Sequence, residues 1–95
     1  MYVENIKVGS DPELFIINKK TNKVVSSIGL IPGVKGNAYR APDMPEGYGL
    51  QIDNILAEFN IPPTNDKEEF LHSINYMKDY IRKYVQNVNP DLDIL

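Results

Sequence analysis

The feature that most constrains this 95-residue chain is an uneven distribution of glycine and proline. All six glycines and six of the seven prolines lie within residues 1–63, whereas residues 64–89 contain neither. Both residue types disfavour the interior of a helix, so only the second segment can form a long one. The first segment must therefore fold from strands and loops.

Residues 64–89 have the pattern of an amphipathic helix. Asn65 is the candidate N-cap, with Glu68 three residues later as its capping-box partner. We predict a helix over residues 66–86, ended by the residues just before Pro90. Its apolar side chains recur at helical spacing at Phe70, Ile74, Met77, Ile81, Tyr84 and Val88.

The first segment contains four candidate strands, namely residues 13–18, 24–28, 49–53 and 55–61. The first two flank the polar residues 19–23 and predict a β-hairpin. Residues 29–47 are rich in glycine and proline and predict a long loop. In the last strand, Leu56, Glu58 and Asn60 alternate with apolar residues and therefore share the opposite face.

We expect an α+β domain, in which a mostly antiparallel sheet of about four strands carries one long C-terminal helix on one face. Residues 1–63 supply the sheet and loops, residues 64–89 supply the helix, and residues 1–95 form a single domain. One helix can cover only one face of a small sheet. The face bearing Glu58 and Asn60 therefore needs a ligand, a partner or more chain.

The composition excludes several kinds of site. The absence of cysteine excludes disulfides and thiol chemistry, and the single histidine, His72, excludes a site with two histidines. A net charge of −3 argues against a nucleic-acid partner, and no apolar run is long enough to span a membrane. We expect a cytoplasmic protein whose chemistry uses carboxylates, amides, hydroxyls and backbone groups.

The acids to consider as metal ligands are Asp11, Glu13, Asp53 and Glu58. Glu13 opens one strand and Glu58 lies inside another, where an acid opposes β propensity. Carboxylates on the open face of an antiparallel sheet can converge on Mg²⁺, which prefers oxygen ligands. The alternative is that Asp11 belongs to a turn, while Glu13 and Glu58 simply face water.

Asp53 raises a problem of geometry. It lies five residues before Glu58, so an unbroken strand would place the two carboxylates on opposite faces. They share a face only if a bulge or break occurs near residues 53–54. We therefore rank Asp53 below Glu13 and Glu58, and Gln51 has the same parity as Asp53.

Two further sets of side chains are candidates for contacts. Lys35 and Arg40 are the cations of the long loop and could reach phosphate oxygens, although solvated loop charges are the alternative. Tyr76 and Tyr80 lie four residues apart on the helix and form a stripe. Such a stripe favours packing or an interface over a cofactor contact.

Three segments of the chain resemble a known family. The sequence KVGSDPELF at residues 7–15, then QIDN at 51–54 and AEFNIPP at 57–63, precede a helix in this order. This arrangement resembles the start of the phage carboxylate–amine (COOH–NH2) ligases of type 2, which are related to the glutamine synthetase and glutamate–cysteine ligase superfamily. The resemblance covers nearly all of residues 6–85.

The resemblance implies ATP- and Mg²⁺-dependent amide bond formation, in which a carboxylate is phosphorylated to an acyl phosphate that an amine then attacks. It implies metal ligands at Glu13 and Glu58, with Asp11 and Asp53 as weaker candidates. To the ATP contacts we assign Lys35, Arg40 and Asn60. The substrates would be a nucleotide together with a small-molecule or peptide carboxylate and an amine.

The family's ligase domain is longer than this chain. We therefore expect an N-terminal metal and ATP portion that is inactive alone, in the cytoplasm of a phage-infected bacterium. The alternative is a non-catalytic, phage-encoded interaction or structural module on the same fold. Either reading predicts that a second copy or a partner subunit covers the open face of the sheet.

Overall fold

The computed structural model describes residues 12–53 and 55–95, which form six strands and one helix. It confirms the expected α+β class, with antiparallel strands and a long C-terminal helix. In chain order the elements are β1 (Glu13–Leu14), β2 (Ile16–Asn18), β3 (Lys23–Val25), β4 (Gly49–Asp53), β5 (Leu56–Asn60), α1 (Lys67–Val88) and β6 (Leu92–Ile94).

The described strands form two three-stranded sheets. Sheet A has the order β1-β5-β4, and sheet B has the order β3-β2-β6. The chain passes from one sheet to the other at Phe15, because Leu14 pairs with Ala57 whereas Ile16 pairs with Val25. The single strand predicted over residues 13–18 is therefore two short strands that belong to different sheets.

The structure contains a C-terminal strand that the sequence did not predict. Helix α1 ends at Val88, two residues later than expected, and Asn89 is its C-cap. A turn follows, in which the Leu92 amide donates to the Asn89 carbonyl at 3.0 Å. This turn reverses the chain, so that β6 pairs antiparallel with β2.

The main core lies between α1 and one face of sheet A. Burial in β5 follows strand alternation, since Ala57 and Phe59 are buried whereas Glu58 and Asn60 are half-buried on the other face. The buried residues of this core cluster include Leu50, Ala57, Phe59, Met77, Ile81 and Val85.

No helical segment within residues 12–53 and 55–95 has the apolar length that crossing a bilayer requires.

Part of the predicted long loop is attached to the free side of β4. Tyr39 and Leu50 exchange backbone hydrogen bonds of 2.7 and 2.9 Å, and Val34 forms a parallel bridge with Ile52. Gly33 has φ +89°, and a Cβ at this position would collide with the carbonyl oxygen of Leu50. Only glycine fits this close approach, which holds residues 34–40 along the strand.

Helix α1 begins one residue later than the sequence pattern suggested. The N-cap is Asp66, whose carboxylate accepts hydrogen bonds from the amides of Glu68 at 2.8 Å and Glu69 at 3.3 Å. The predicted capping box of Asn65 and Glu68 is therefore wrong. The other half of a capping box, a link between the N-cap amide and an acid in the first turn, is made through Thr64. The Thr64 hydroxyl accepts from the Asp66 amide and donates to the Glu69 carboxylate.

Replacing the N-cap should lower stability. We expect Asp66→Ala to reduce the free energy of unfolding by about 1 kcal/mol, because two amides of the first turn lose their acceptor. Asn65→Ala is the matched control and should change it by less than about 0.5 kcal/mol. Urea denaturation followed by circular dichroism measures both, and equal losses would contradict the assignment of the cap.

Candidate metal centre

The register of sheet A brings polar side chains together on the face that α1 leaves uncovered. Glu58 of the central strand β5 pairs with Glu13 of β1 on one side and with Gln51 of β4 on the other. Directly opposed residues of neighbouring strands project from the same face of a sheet. Glu13, Glu58 and Gln51 therefore form a row on that face.

Asp53 lies on the same face as Glu58. An unbroken strand would have placed these two side chains on opposite faces of the sheet. The chain turns between Asp53 and Leu56, which pair with each other as the last residues of the β4–β5 hairpin. The break that the sequence left open is therefore a tight turn, and Asp53 follows the parity of Gln51 two residues earlier. Asp53 is itself a turn-favouring residue.

Three carboxylates of this face converge, and we call Glu13, Asp53 and Glu58 the acidic cluster. Each offers one carboxylate oxygen, and the three oxygens lie within 4.8 Å of one another. Mg²⁺ binds oxygen at about 2.1 Å, so ligands on opposite sides of it are about 4.2 Å apart. Carboxylate oxygens are the donors that such a cation prefers, and the cluster would have to contract to coordinate a single ion. The fourth candidate ligand, Asp11, lies outside the described residues.

The acidic cluster is only partly neutralised by its neighbours. The Lys35 ammonium lies 3.4 Å from an Asp53 carboxylate oxygen, and the Gln51 amide donates to the Glu58 carboxylate. Partial desolvation, followed by contact with Asp53 and the charge of Glu58, raises the pKa of Glu13, whereas Lys35 opposes this rise. Like charges placed directly across two strands also disfavour the folded state.

Lys35 reaches the cluster because of the way its loop is attached. Val34 bridges to Ile52 in parallel, so the next residue, Lys35, lies beside Asp53. The Lys35 side chain is 76% exposed, and the Asp53 side chain is 13% exposed. Water therefore surrounds most of the lysine, and its ammonium can exchange Asp53 for another anionic partner.

Arg40 and Asn60 lie at the other end of the same face. Gly49 pairs with Asn60, and a Cβ on Gly49 would stand 3.2 Å from an Arg40 guanidinium nitrogen. That guanidinium also donates to the Tyr48 carbonyl, which fixes its position over Gly49. Asn60 is two residues from Glu58, or about 6.6 Å along the strand. All described residues that the sequence suggested as site residues thus lie on or beside one face.

No protein-family model, no curated protein and no solved structure matches this chain.

The pKa of Glu13 should respond in opposite directions to removal of the Asp53 charge and removal of the Lys35 charge. Asp53→Asn should lower it toward the ordinary glutamate value, whereas Lys35→Gln should raise it further. Glu46→Gln, an exposed acid outside the cluster, is the control and should leave it unchanged. Carboxyl carbon NMR titration measures all three variants, and a pKa that is unaffected by Asp53→Asn would contradict the arrangement.

The sign of the linked stability follows from the direction of this shift. The pKa of Glu13 in the folded state is raised, so the ionised carboxylate disfavours folding at neutral pH. This cost is relieved as the pH falls through that pKa, where the folded state takes up the proton first.

Proposed function

We propose that Glu13, Asp53 and Glu58 bind Mg²⁺, and that this chain supplies the metal and nucleotide portion of an ATP-dependent carboxylate–amine ligase. The observation that carries this proposal is the convergence of carboxylates from three strands on an uncovered sheet face. Their mutual repulsion is a cost that a bound cation removes. The sequence resemblance supports the ligase class, because two residues that carry it, Glu13 and Glu58, are direct partners in the register.

The surrounding residues suit a phosphate-bearing ligand. Arg40 and Asn60 at one end of the face can donate to phosphate oxygens, and Lys35 at the other end can leave Asp53 to do the same. Gln51 holds the Glu58 carboxylate in place through its amide. When bound, Mg²⁺ neutralises charge on the phosphates of ATP during phosphoryl transfer.

Binding of Mn²⁺, as a stand-in for Mg²⁺, tests the metal site. The double variant Glu13→Gln with Glu58→Gln should lose at least about tenfold in affinity, because two of the three carboxylate ligands become neutral amides. The control double variant, Glu46→Gln with Glu68→Gln, removes the same charge from exposed positions elsewhere. Electron paramagnetic resonance titration measures the free ion.

The same titration has a pH arm. Affinity should fall as the pH is lowered through the raised pKa of Glu13, because the proton competes with the metal. An affinity that is equal in the wild type and in the Glu13/Glu58 double variant would overturn the metal site.

Nucleotide binding tests the second half of the proposal. Arg40→Gln should weaken binding of a non-hydrolysable ATP analogue with Mg²⁺ by about tenfold, through the loss of a charged hydrogen bond to phosphate. The affinity of the Arg40→Gln variant for Mn²⁺ alone should not change. Lys20→Gln, in the β2–β3 loop, is the control for loss of a positive charge. Isothermal titration calorimetry measures both ligands, and metal binding without nucleotide binding would contradict the ligase assignment.

A second candidate is a non-catalytic module that self-associates through sheet B. One face of this sheet supplies Ile16 to the core, and the other face carries Ile17 and Val24. Val24 is 47% exposed, and the nearby Phe15 is 43% exposed. A chain that binds no nucleotide and sediments as a dimer would fit this second candidate.

A further inference from the structure

A groove separate from the acidic cluster runs along helix α1. Tyr76, Tyr80 and Tyr84 follow one another at four-residue spacing and form one wall of a groove of about 570 Å³. The ring centroids of Tyr76 and Tyr80 are 6.3 Å apart, and those of Tyr80 and Tyr84 are 6.5 Å apart. Tyr48 packs edge-on against Tyr76 at 4.9 Å. We call this groove the tyrosine groove, and it is lined by Asp43, Tyr76, Asp79, Tyr80, Lys83, Tyr84 and Asn87.

The two ends of the tyrosine groove differ in the charged and polar groups that line them. Asp43, from the loop before β4, lines it close to the hydroxyls of Tyr76 and Tyr80, and Asp79 lies on the helix between them. Asp79 is already paired with Arg82 at 2.9 Å, and Asp43 is the acid whose charge acts on the hydroxyls of Tyr76 and Tyr80. Lys83 and Asn87 supply hydrogen-bond donors beside Tyr84.

The hydroxyls of Tyr76 and Tyr80 remain neutral in this setting. Desolvation, followed by the charge of Asp43, raises the pKa of Tyr80 to about 12 and also raises that of Tyr76. The rings therefore present uncharged aromatic faces at neutral pH, with a carboxylate beside them. Aromatic faces next to a carboxylate attract cations.

We propose that the tyrosine groove binds an arginine side chain within an extended peptide segment of a partner protein. A planar guanidinium can stack on a tyrosine ring while donating two hydrogen bonds to the Asp43 carboxylate. An ammonium group has neither the plane nor the paired donors. The acid at one end of the groove and the donors at the other end complement the arginine and the peptide carbonyls, respectively.

The dimensions of the groove suit a short segment. Eight residues of helix separate Tyr76 from Tyr84, which corresponds to about 12 Å. An extended peptide advances about 3.3 Å per residue, so about four residues cover this length. With arginine beside Asp43, the following peptide carbonyls lie within reach of Lys83 and Asn87. This interaction involves the helix and not the acidic cluster, so it does not depend on the proposed metal site.

The test uses two capped tetrapeptides that differ in one charge. The first is acetyl-Gly-Arg-Gly-Gly-amide, and the second carries citrulline, which has nearly the same shape as arginine but no charge. We expect saturable NMR shifts in the rings of Tyr76, Tyr80 and Tyr84 with the arginine peptide. Affinity should be about threefold lower for the citrulline peptide, which lacks the cation–π and ionic contributions.

Asp43→Asn assigns the charge effect to the groove. Asp43 is exposed, so this variant should fold normally and should lower affinity for the arginine peptide more than affinity for the citrulline peptide. Glu46→Gln is the matched control, because it removes an acid from the same loop outside the groove. Equal affinity for the two peptides, shifts located elsewhere, or no shift at the highest soluble peptide concentration would overturn the proposal. Shifts of the same rings that depend on protein concentration without peptide would also overturn it, and would assign the groove to a second copy of the chain.

Discussion

The side-chain alternation of β5 determines the position of every group in the acidic cluster. Ala57 and Phe59 have no exposed surface and belong to the core that α1 completes. A slip of one residue in this strand would expose Phe59 and bury Glu58, so burial of the aromatic ring fixes the register. Because β5 is the central strand of sheet A, that register also selects Glu13 and Gln51 as the neighbours of Glu58. The polar face is thus a consequence of how the apolar face packs.

Strand alternation also decides which parts of the candidate site are predictable from the sequence. Period-two alternation was sufficient to place Glu58 and Asn60 together on the open face of the sheet. It was insufficient for Asp53, because parity across a hairpin depends on how many residues form the turn. Nearly the same residues place Asp53 on one face of the sheet if the strand continues and on the other face if the chain turns back. Side-chain faces are therefore predictable within a strand and much less so across a turn.

The remaining differences from expectation arise where tertiary pairing decides the outcome. Residues 13–18 are apolar on both faces, and only their partners, β5 for β1 and β3 with β6 for β2, divide them into two strands. Strand β6 has three residues and forms because the turn at Asn89 delivers it to β2. The shift of the N-cap from Asn65 to Asp66 has a local origin instead, since the hydroxyl of Thr64 orders the first turn around Asp66. Both residue types at 65 and 66 are good caps, so local preference could not separate them.

The segment attached to β4 connects the two proposed binding surfaces. Tyr39 pairs with Leu50, a core residue, and its hydroxyl contributes to the raised pKa of Tyr80 in the tyrosine groove. The next residue, Arg40, projects over Gly49 on the opposite face, at the end of the row that contains the acidic cluster. Successive residues of an extended chain alternate in direction, so one short segment positions a side chain on each side of sheet A. A displacement of this segment would move Tyr39 and Arg40 together, and the two surfaces therefore depend on one backbone attachment.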